Sequence, residues 1–343
     1  MDAQYIQNIP MQVIEGTLTW NREQNVDTVQ GLNRRIAEGS FADLVKASDE
    51  RYHWFTRTAA EAIINSPKPI RLVIIAGPSS SGKTTATIKI SERLKEKGLE
   101  LVPMVLDNYF FDLEMHPKDE YGDYDFETPQ ALDLPLINKH LGDLLAGKEI
   151  RMPIYSFKTG KRLQETVPLK LSENEIVLID SLHGLYEPMT SSVPAANKFR
   201  LYIETLSQLK DVHGEWTRWT DIRLLRRMIR DSWHRSYSPV RTIGHWHYVR
   251  RSEMKHIVPF ITETDFVVNG ALAYELPIHK KYSFAALKEA MDEFKDDPGK
   301  QDAYIRARRV YELLDTITVV EDDSCIPGKS PLREFIGGSE YSY

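Results

Sequence analysis

One stretch, RLVIIAGPSSSGKTTATIKI at residues 71–90, limits what this chain can fold into more than any other. An apolar run ends at Ala76, and Gly77-Pro78-Ser79-Ser80-Ser81-Gly82-Lys83-Thr84 then satisfies the pattern G-x-x-x-x-G-K-[ST]. Beyond it Ala86, Ile90 and Leu94 recur at helical spacing, with Gly98 as a stop signal. A plain Ser/Gly-rich turn would carry similar residues, but a buried strand before the motif and an amphipathic helix after it are what a phosphate cradle needs. Glycines let successive backbone N–H groups converge on phosphate oxygens, the helix N-terminus adds its positive end, and Lys83 neutralises the β- and γ-phosphates. The hydroxyl of Thr84 is suited to hold Mg²⁺. Gly77, Ser79, Ser80, Ser81, Gly82, Lys83, Thr84 and Thr85 are therefore the expected contacts to a nucleoside triphosphate, with Lys83 also counted as catalytic and ATP with Mg²⁺ as the expected cofactors.

The rest of the chain extends this reading. RLVIIA (71–76), LVPMVLD (101–107), EIVLID (175–180), FRLYIE (199–204), DFVVNG (265–270) and TITVVE (316–321) are candidate strands, several apolar on both faces. Such strands belong to a mostly parallel sheet covered by helices on both sides, an α/β fold. Residues 1–66 read as a mainly helical extension with a short strand at MQVIEGTLTW and helical pattern from Val29 onward, broken by the two prolines of NSPKPI. Residues 67–325 then form the nucleotide-binding domain, and 326–343 a C-terminal tail.

Composition bounds the partners. Hydrophobic residues make up 41% of the 343 and charged residues 27%, as in ordinary folded proteins. A net charge of −6 argues against broad attraction to nucleic acid or anionic membranes. Cys325 is the one cysteine, so neither an internal disulfide nor a multi-thiolate zinc site is available. No export signal or membrane anchor is expected, and a cytoplasmic location fits; a homo-oligomer is compatible with everything above.

Phosphoryl transfer also needs a metal-holding carboxylate and a group that takes the acceptor's proton. Asp180 ends EIVLID, where it would reach Mg²⁺ directly or through water, although an aspartate also suits a plain turn. Asp107 ends another apolar run, where ligands of open α/β sheets bind, so it is a candidate general base and metal neighbour; an Asp-Asn turn explains it equally well. In TDIRLLRRMIRDSWHR (220–235), Arg223, Arg226, Arg227 and Arg230 share one helical face, opposite Leu224, Leu225, Met228 and Ile229. That stripe is either solvated and locally paired, as Arg227 with Asp231, or a lid over a transferring phosphoryl group. His234, His245 and His247 have no conventional zinc spacing. With no N-K-x-D and no protein-kinase H-R-D or D-F-G set, a small-molecule kinase is favoured.

The segments GPSSSGKTT, LDNYF, YDFETPQALD, MPIYSFKTGKR, IVLIDSLHGL and RLLRRMIRD stand in an order and at distances that resemble the uridine kinase and phosphoribulokinase group of P-loop kinases, over about residues 68–325. PSSSGKTT and LREFIGGS look like the bacterial uridine-kinase-like branch often fused to a TGS domain, for which the N-terminal ~66 residues are short. The resemblance implies a P-loop kinase fold with an arginine-bearing helical lid at about 208–260. It makes Asp107 the catalytic aspartate facing a 5′-hydroxyl, Thr84 and Asp180 the magnesium-associated pair, and Phe110, Phe126, Glu127, Tyr155, Phe157 and Arg162 the acceptor pocket. Arg227, Arg230 and Arg235 become substrate and lid arginines, Arg227 and Arg230 catalytic and Arg235 on the nucleotide. Departures accompany it: Gly160 stands where uridine kinases have a base-reading histidine, Tyr237 where they have an arginine, His245 for a glutamine, and Asp180-Ser181 for Glu-Gly. The expected reaction is transfer of the γ-phosphoryl group of ATP to a hydroxyl of a nucleoside or related sugar-bearing compound. A sugar-phosphate acceptor, or a regulatory ATPase without a small acceptor, is the alternative.

Overall fold

A computed structural model describes residues 10–118, 124–126, 128–234 and 237–342. Its centre is a five-stranded sheet made of β1 (Leu72–Ala76), β2 (Glu100–Pro103), β5 (Glu175–Ser181), β6 (Lys198–Glu204) and β7 (Phe266–Asn269). All are parallel, in the order β2-β5-β1-β6-β7. The phosphate-loop strand β1 is therefore central, with Ile75 opposite Asp180 on one side and Leu201 on the other. Every residue of β1 is buried, and its side chains alternate between two cores. Val73 and Ile75 pack with Ala86, Ile90 and Leu94 of the helix Lys83–Lys95 (α4). Leu72 and Ile74 pack with Ile137, Leu141 and Leu144 of the helix Leu134–Leu145 (α5). Layers on both faces explain why these strands lack the alternation of a half-exposed sheet.

Three N-terminal helices, α1 (Met11–Glu23), α2 (Val29–Ala37) and α3 (Phe41–Ile64), join the first core, as do Leu332 and Ile336 of the tail. The strand expected within MQVIEGTLTW is instead α1. Its β-branched residues are overruled by tertiary contacts: Asn21 Nδ2 donates to Gln208 O at 2.7 Å, Arg51 donates to Gly16 O at 3.0 Å, and the Arg51 guanidinium lies 4.9 Å from the Trp20 ring. TITVVE is not a strand either. Its backbone is taken by helices, Asn33 bonding Thr316 O and Thr318 N, and Lys280 donating to Ile317 O at 2.8 Å. LVPMVLD is strand only as far as Pro103, on the sheet edge where a missing N–H is tolerated.

An antiparallel hairpin that the apolar-run criterion missed, β3 (Ile150–Ser156) with β4 (Lys161–Leu169), stands outside the sheet. A helical layer completes the fold: α6 (Trp219–His234), α7 (Pro239–His256), α8 (Glu275–Phe294) and α9 (Gln301–Asp315), with the short α10 (Arg333–Ile336) in the tail. Leu224, Leu225, Met228, Trp246, Leu287 and Val310 form its core. Among the described residues no helix is long and apolar enough to cross a membrane.

Candidate active site

The loop after β1 is pressed against β6. A Cβ on Gly77 would lie 2.3 Å from the Ile203 carbonyl oxygen, so only glycine fits. Ser80 and Gly82 curl the loop with φ of 61° and 90°. Its carbonyls are met by cations. Lys83 Nζ donates to Gly77 O at 2.9 Å and Pro78 O at 3.3 Å, Arg223 to Ser79 O at 3.0 Å, and Arg226 to Ser81 O at 3.4 Å. With those acceptors taken, what the loop has left to offer an anion is its N–H groups. Burial pushes the Lys83 pKa down, while Asp180 and Glu334 pull it back up.

The arginine stripe of α6 faces this loop rather than open solvent, and it divides. Arg223 is fully buried between Glu204 (2.9 Å) and Glu253 (2.6 Å), and Arg226 is fully buried against Glu275 (2.7 Å) while donating to Gly270 O. These two clamp the loop's outer side. Arg227 and Arg230 stay partly accessible. Both pair with Asp231, at 3.2 and 3.4 Å, and Arg227 Nη1 also reaches Ser79 Oγ at 3.0 Å. The i,i+4 pair and the approach to the phosphate loop thus coexist. Sequence spacing missed that Arg223 and Arg226 are spoken for, because their partners come from β6, α7 and α8.

Asp180 sits at the end of β5 with Oδ2 accepting from Thr87 Oγ1 at 3.2 Å, and Asp107 lies in the short turn Leu106–Tyr109 beyond β2. Both carboxylates are open to solvent, yet protein crowds their remaining sides. That crowding raises both pKa values, Lys83 opposes the rise in each, and Asp107 adds to it at Asp180. Thr84 is exposed on the first turn of α4. Two carboxylates and a hydroxyl are an all-oxygen donor set that fits Mg²⁺, which is held by one or two carboxylates together with substrate phosphates. Among the described residues no group of three or more His, Cys, Asp or Glu side chains is arranged to hold a metal ion by itself.

The predicted aromatics converge. Phe110 lies 5.6 Å from Tyr155, 5.8 Å from Phe157 and 6.1 Å from Phe126, and Tyr155 and Phe157 are 5.0 Å apart. Tyr155 is buried under them, whereas Phe126 and Phe157 are exposed at the rim. His116, absent from the sequence reading, stacks 5.4 Å from Phe110 and donates from Nε2 to Phe111 O at 2.8 Å. Nothing in its local spacing marks it; the fold alone brings it there. Arg162 has each of its three guanidinium nitrogens engaged, by Phe110 O, Asp133 and Tyr109 O, and so props the Phe110 turn. Gly160 has φ of 67°, and a Cβ there would meet Leu113 Cβ at 3.0 Å, so a side chain at this turn would be strained and would require Leu113 to shift. A cavity of about 420 Å³ extends from Phe126 and Arg227 to Tyr237, Arg241, His245 and Tyr248 of the helical layer. Burial, with Arg241 next, lowers the His245 pKa. Thr85, an expected phosphate contact, is fully buried and donates from N and Oγ1 to Glu334. Glu127 and Arg235 lie outside the described residues.

The chain matches the phosphoribulokinase / uridine kinase family over residues 72–273. Uridine-cytidine kinase B of Dictyostelium discoideum is 30% identical over 160 residues, 47% of this chain and 58% of that protein. The uridine kinase of Ureaplasma parvum is 27% identical over 183 residues, 53% of this chain and 79% of that one. Among solved structures, a possible uridine kinase from Bacillus stearothermophilus aligns with a TM-score of 0.42 and 15% identity, over 64% of this chain and 98% of that one. The chain thus spans little more than half the length of the first of these relatives. With well over half of its own length matched, the chain belongs to the phosphoribulokinase / uridine kinase family.

Proposed function

We propose that this protein is a cytoplasmic, ATP- and Mg²⁺-dependent phosphotransferase that moves the γ-phosphoryl group to a hydroxyl of a nucleoside or related sugar-bearing compound. The observation that carries this reading is that the phosphate loop with Lys83 follows β1 while Asp180 lies near the end of the paired strand β5 and Asp107 in the turn beyond β2, all at the C-terminal ends of the parallel strands. The loop amides and Lys83 bind the triphosphate. Thr84 and Asp180, with Asp107 nearby, would hold Mg²⁺, which would supply neutralisation of charge on the phosphate oxygens. Asp107 orients the acceptor hydroxyl and takes its proton, a task helped by a pKa raised toward the working pH. Arg227 and Arg230 stabilise negative charge on the group in transit. Tyr155, Phe157, Phe110 and Phe126 give a flat acceptor a stacking surface.

A second reading, a phosphate-bearing acceptor, is prompted by the guanidinium groups of Arg227 and Arg241, which line the 420 Å³ cavity together with Asp125 and Asp231. A panel of nucleosides, sugars and sugar phosphates tested for acceptor-dependent ADP formation separates the two. A sharp rise with a nucleoside supports the first, and a rise only with phosphorylated sugars supports the second. Flat ATP consumption across the panel removes the kinase proposal and points to the regulatory alternative.

A further inference from the structure

At the first turn of α4, where a phosphate would bind, the chain supplies an anion of its own. Thr85 donates from its backbone N–H to Glu334 Oε2 at 3.1 Å and from Oγ1 to the same oxygen at 2.7 Å. Loops of this pattern aim the N–H groups of that turn at the α- and β-phosphates. One carboxylate oxygen therefore takes the two donors that a phosphate oxygen would use. Thr85 is fully covered, and Glu334 is only 7% exposed.

The segment that presents Glu334 is firmly seated. Leu332 and Phe335 are fully buried on either side of it. The Phe335 ring lies 5.0 Å from the guanidinium of Arg226, which itself holds the Ser81 carbonyl. Ser330 Oγ lies 2.7 Å from Tyr274 Oη and donates to Asp49 at 3.2 Å. The tail is thus fixed to the same helix and loop that shape the phosphate cradle, and the carboxylate of Glu334 is one of the two that offset the Lys83 charge. A phosphate drawn to the same N–H would sit against the Glu334 carboxylate, and like charges at that distance repel. With its neighbours anchored, Glu334 can yield by turning its side chain while the tail backbone stays in place.

We propose that Glu334 is a built-in stand-in for a nucleotide phosphate: it caps the N-terminal turn of α4 in the free protein and surrenders Thr85 to the α-phosphate, so nucleotide binds against an intramolecular competitor. This rests on the reading of the loop as a nucleotide site. The test is calorimetric titration of the full chain with ATP and Mg²⁺ for wild type, Glu334→Gln and Glu334→Ala, with melting curves of each. The competitor predicts that both variants bind about tenfold or more tightly than wild type, since a charge-assisted contact no longer has to be broken. It also predicts that their nucleotide-free forms melt lower. Equal or weaker binding by both variants, with wild-type binding intact, overturns the proposal and leaves Glu334 as a support for the loop. Binding by none of the three sinks the nucleotide reading as well. A wild-type complex with ATP and Mg²⁺ in which Thr85 N–H still donates to Glu334 overturns the proposal without any variant.

Discussion

A carboxylate can accept a proton in a reaction only if it is ionised beforehand and basic enough to hold the proton afterwards. Asp107 meets both conditions through its surroundings: crowding raises its pKa, and the Lys83 charge limits the rise. Asp180 stands in the same field with the same direction of shift, raised by burial and opposed by Lys83, with Asp107 adding to the rise. In the proposed reaction Asp107→Asn lowers turnover by about 10²- to 10⁴-fold while Mg·ATP binding stays close to wild type. The wild-type kcat/KM falls on acidification, with its acid limb above the ordinary carboxylate range because the ionised form is the active one. Steady-state rates over a pH series, with nucleotide binding measured separately, check both. At this scale the sequence disclosed more of the chemistry than of the recognition. Asp107 and Asp180 were only candidates at the ends of apolar runs and the aromatics came from the family resemblance alone, whereas the phosphate-loop residues could be read from spacing, because phosphate chemistry requires fixed offsets along a strand, loop and helix. His116 could not, since the turn of chain around it, not a pattern, brings it beside Phe110.

Helix α6 shows how one periodic feature can hold two unlike roles. Arg223 and Arg226 are locked to buried glutamates, whereas Arg227 and Arg230 share Asp231 and remain accessible. Replacing Arg226 leaves the Glu275 charge buried with no cation beyond His279 and with the Leu272 N–H as its other donor, so Arg226→Met costs about 3–5 kcal/mol of stability. Arg227→Met leaves Asp231 with Arg230 and Thr242 and changes stability little, but lowers turnover about 10²-fold. Chemical denaturation and kinetics on the same two proteins separate the roles, and a stable Arg226→Met protein would refute the division. The amphipathic pattern of α6 was legible because its apolar face obeys the helical period. The fate of its polar face was not, because the deciding carboxylates lie on β6, α7 and α8. Elements without such a pattern were misread. α1 carries strand-forming residues that tertiary contacts hold in a helix, and TITVVE has strand composition but its backbone partners are side chains of other helices.

Across the whole molecule, the sheet, the N-terminal helices and the tail share one core, joined at Asp49. This residue of α3 is 5% exposed and accepts from Tyr274 Oη at 2.8 Å and Ser330 Oγ at 3.2 Å. Burial outweighs those bonds and raises its pKa from 3.8 to about 6. A carboxyl whose pKa is higher folded than unfolded favours folding in its protonated form. That contribution is complete below the unfolded value and is lost as pH rises through about 6. Asp49→Asn therefore stabilises the protein above that pH by on the order of 2 kcal/mol, and the gain shrinks to nothing toward pH 4. Melting temperatures of the two proteins at a series of pH values measure it, and a gain independent of pH would contradict the assignment. The layered α/β plan was visible in the apolar runs, whereas this three-way junction joins residues 49, 274 and 330 across most of the chain and leaves no local trace. The hairpin β3–β4 has a different relation to the whole: it supplies Tyr155 and Phe157 to the pocket while standing apart from the parallel sheet. Its inner residues Ile150, Met152 and Tyr155 belong to the same core as Leu72 and Ile74 of β1, so drift that retunes which compound is admitted is open mainly at the exposed rim position Phe157, where preferences can change without loosening that core.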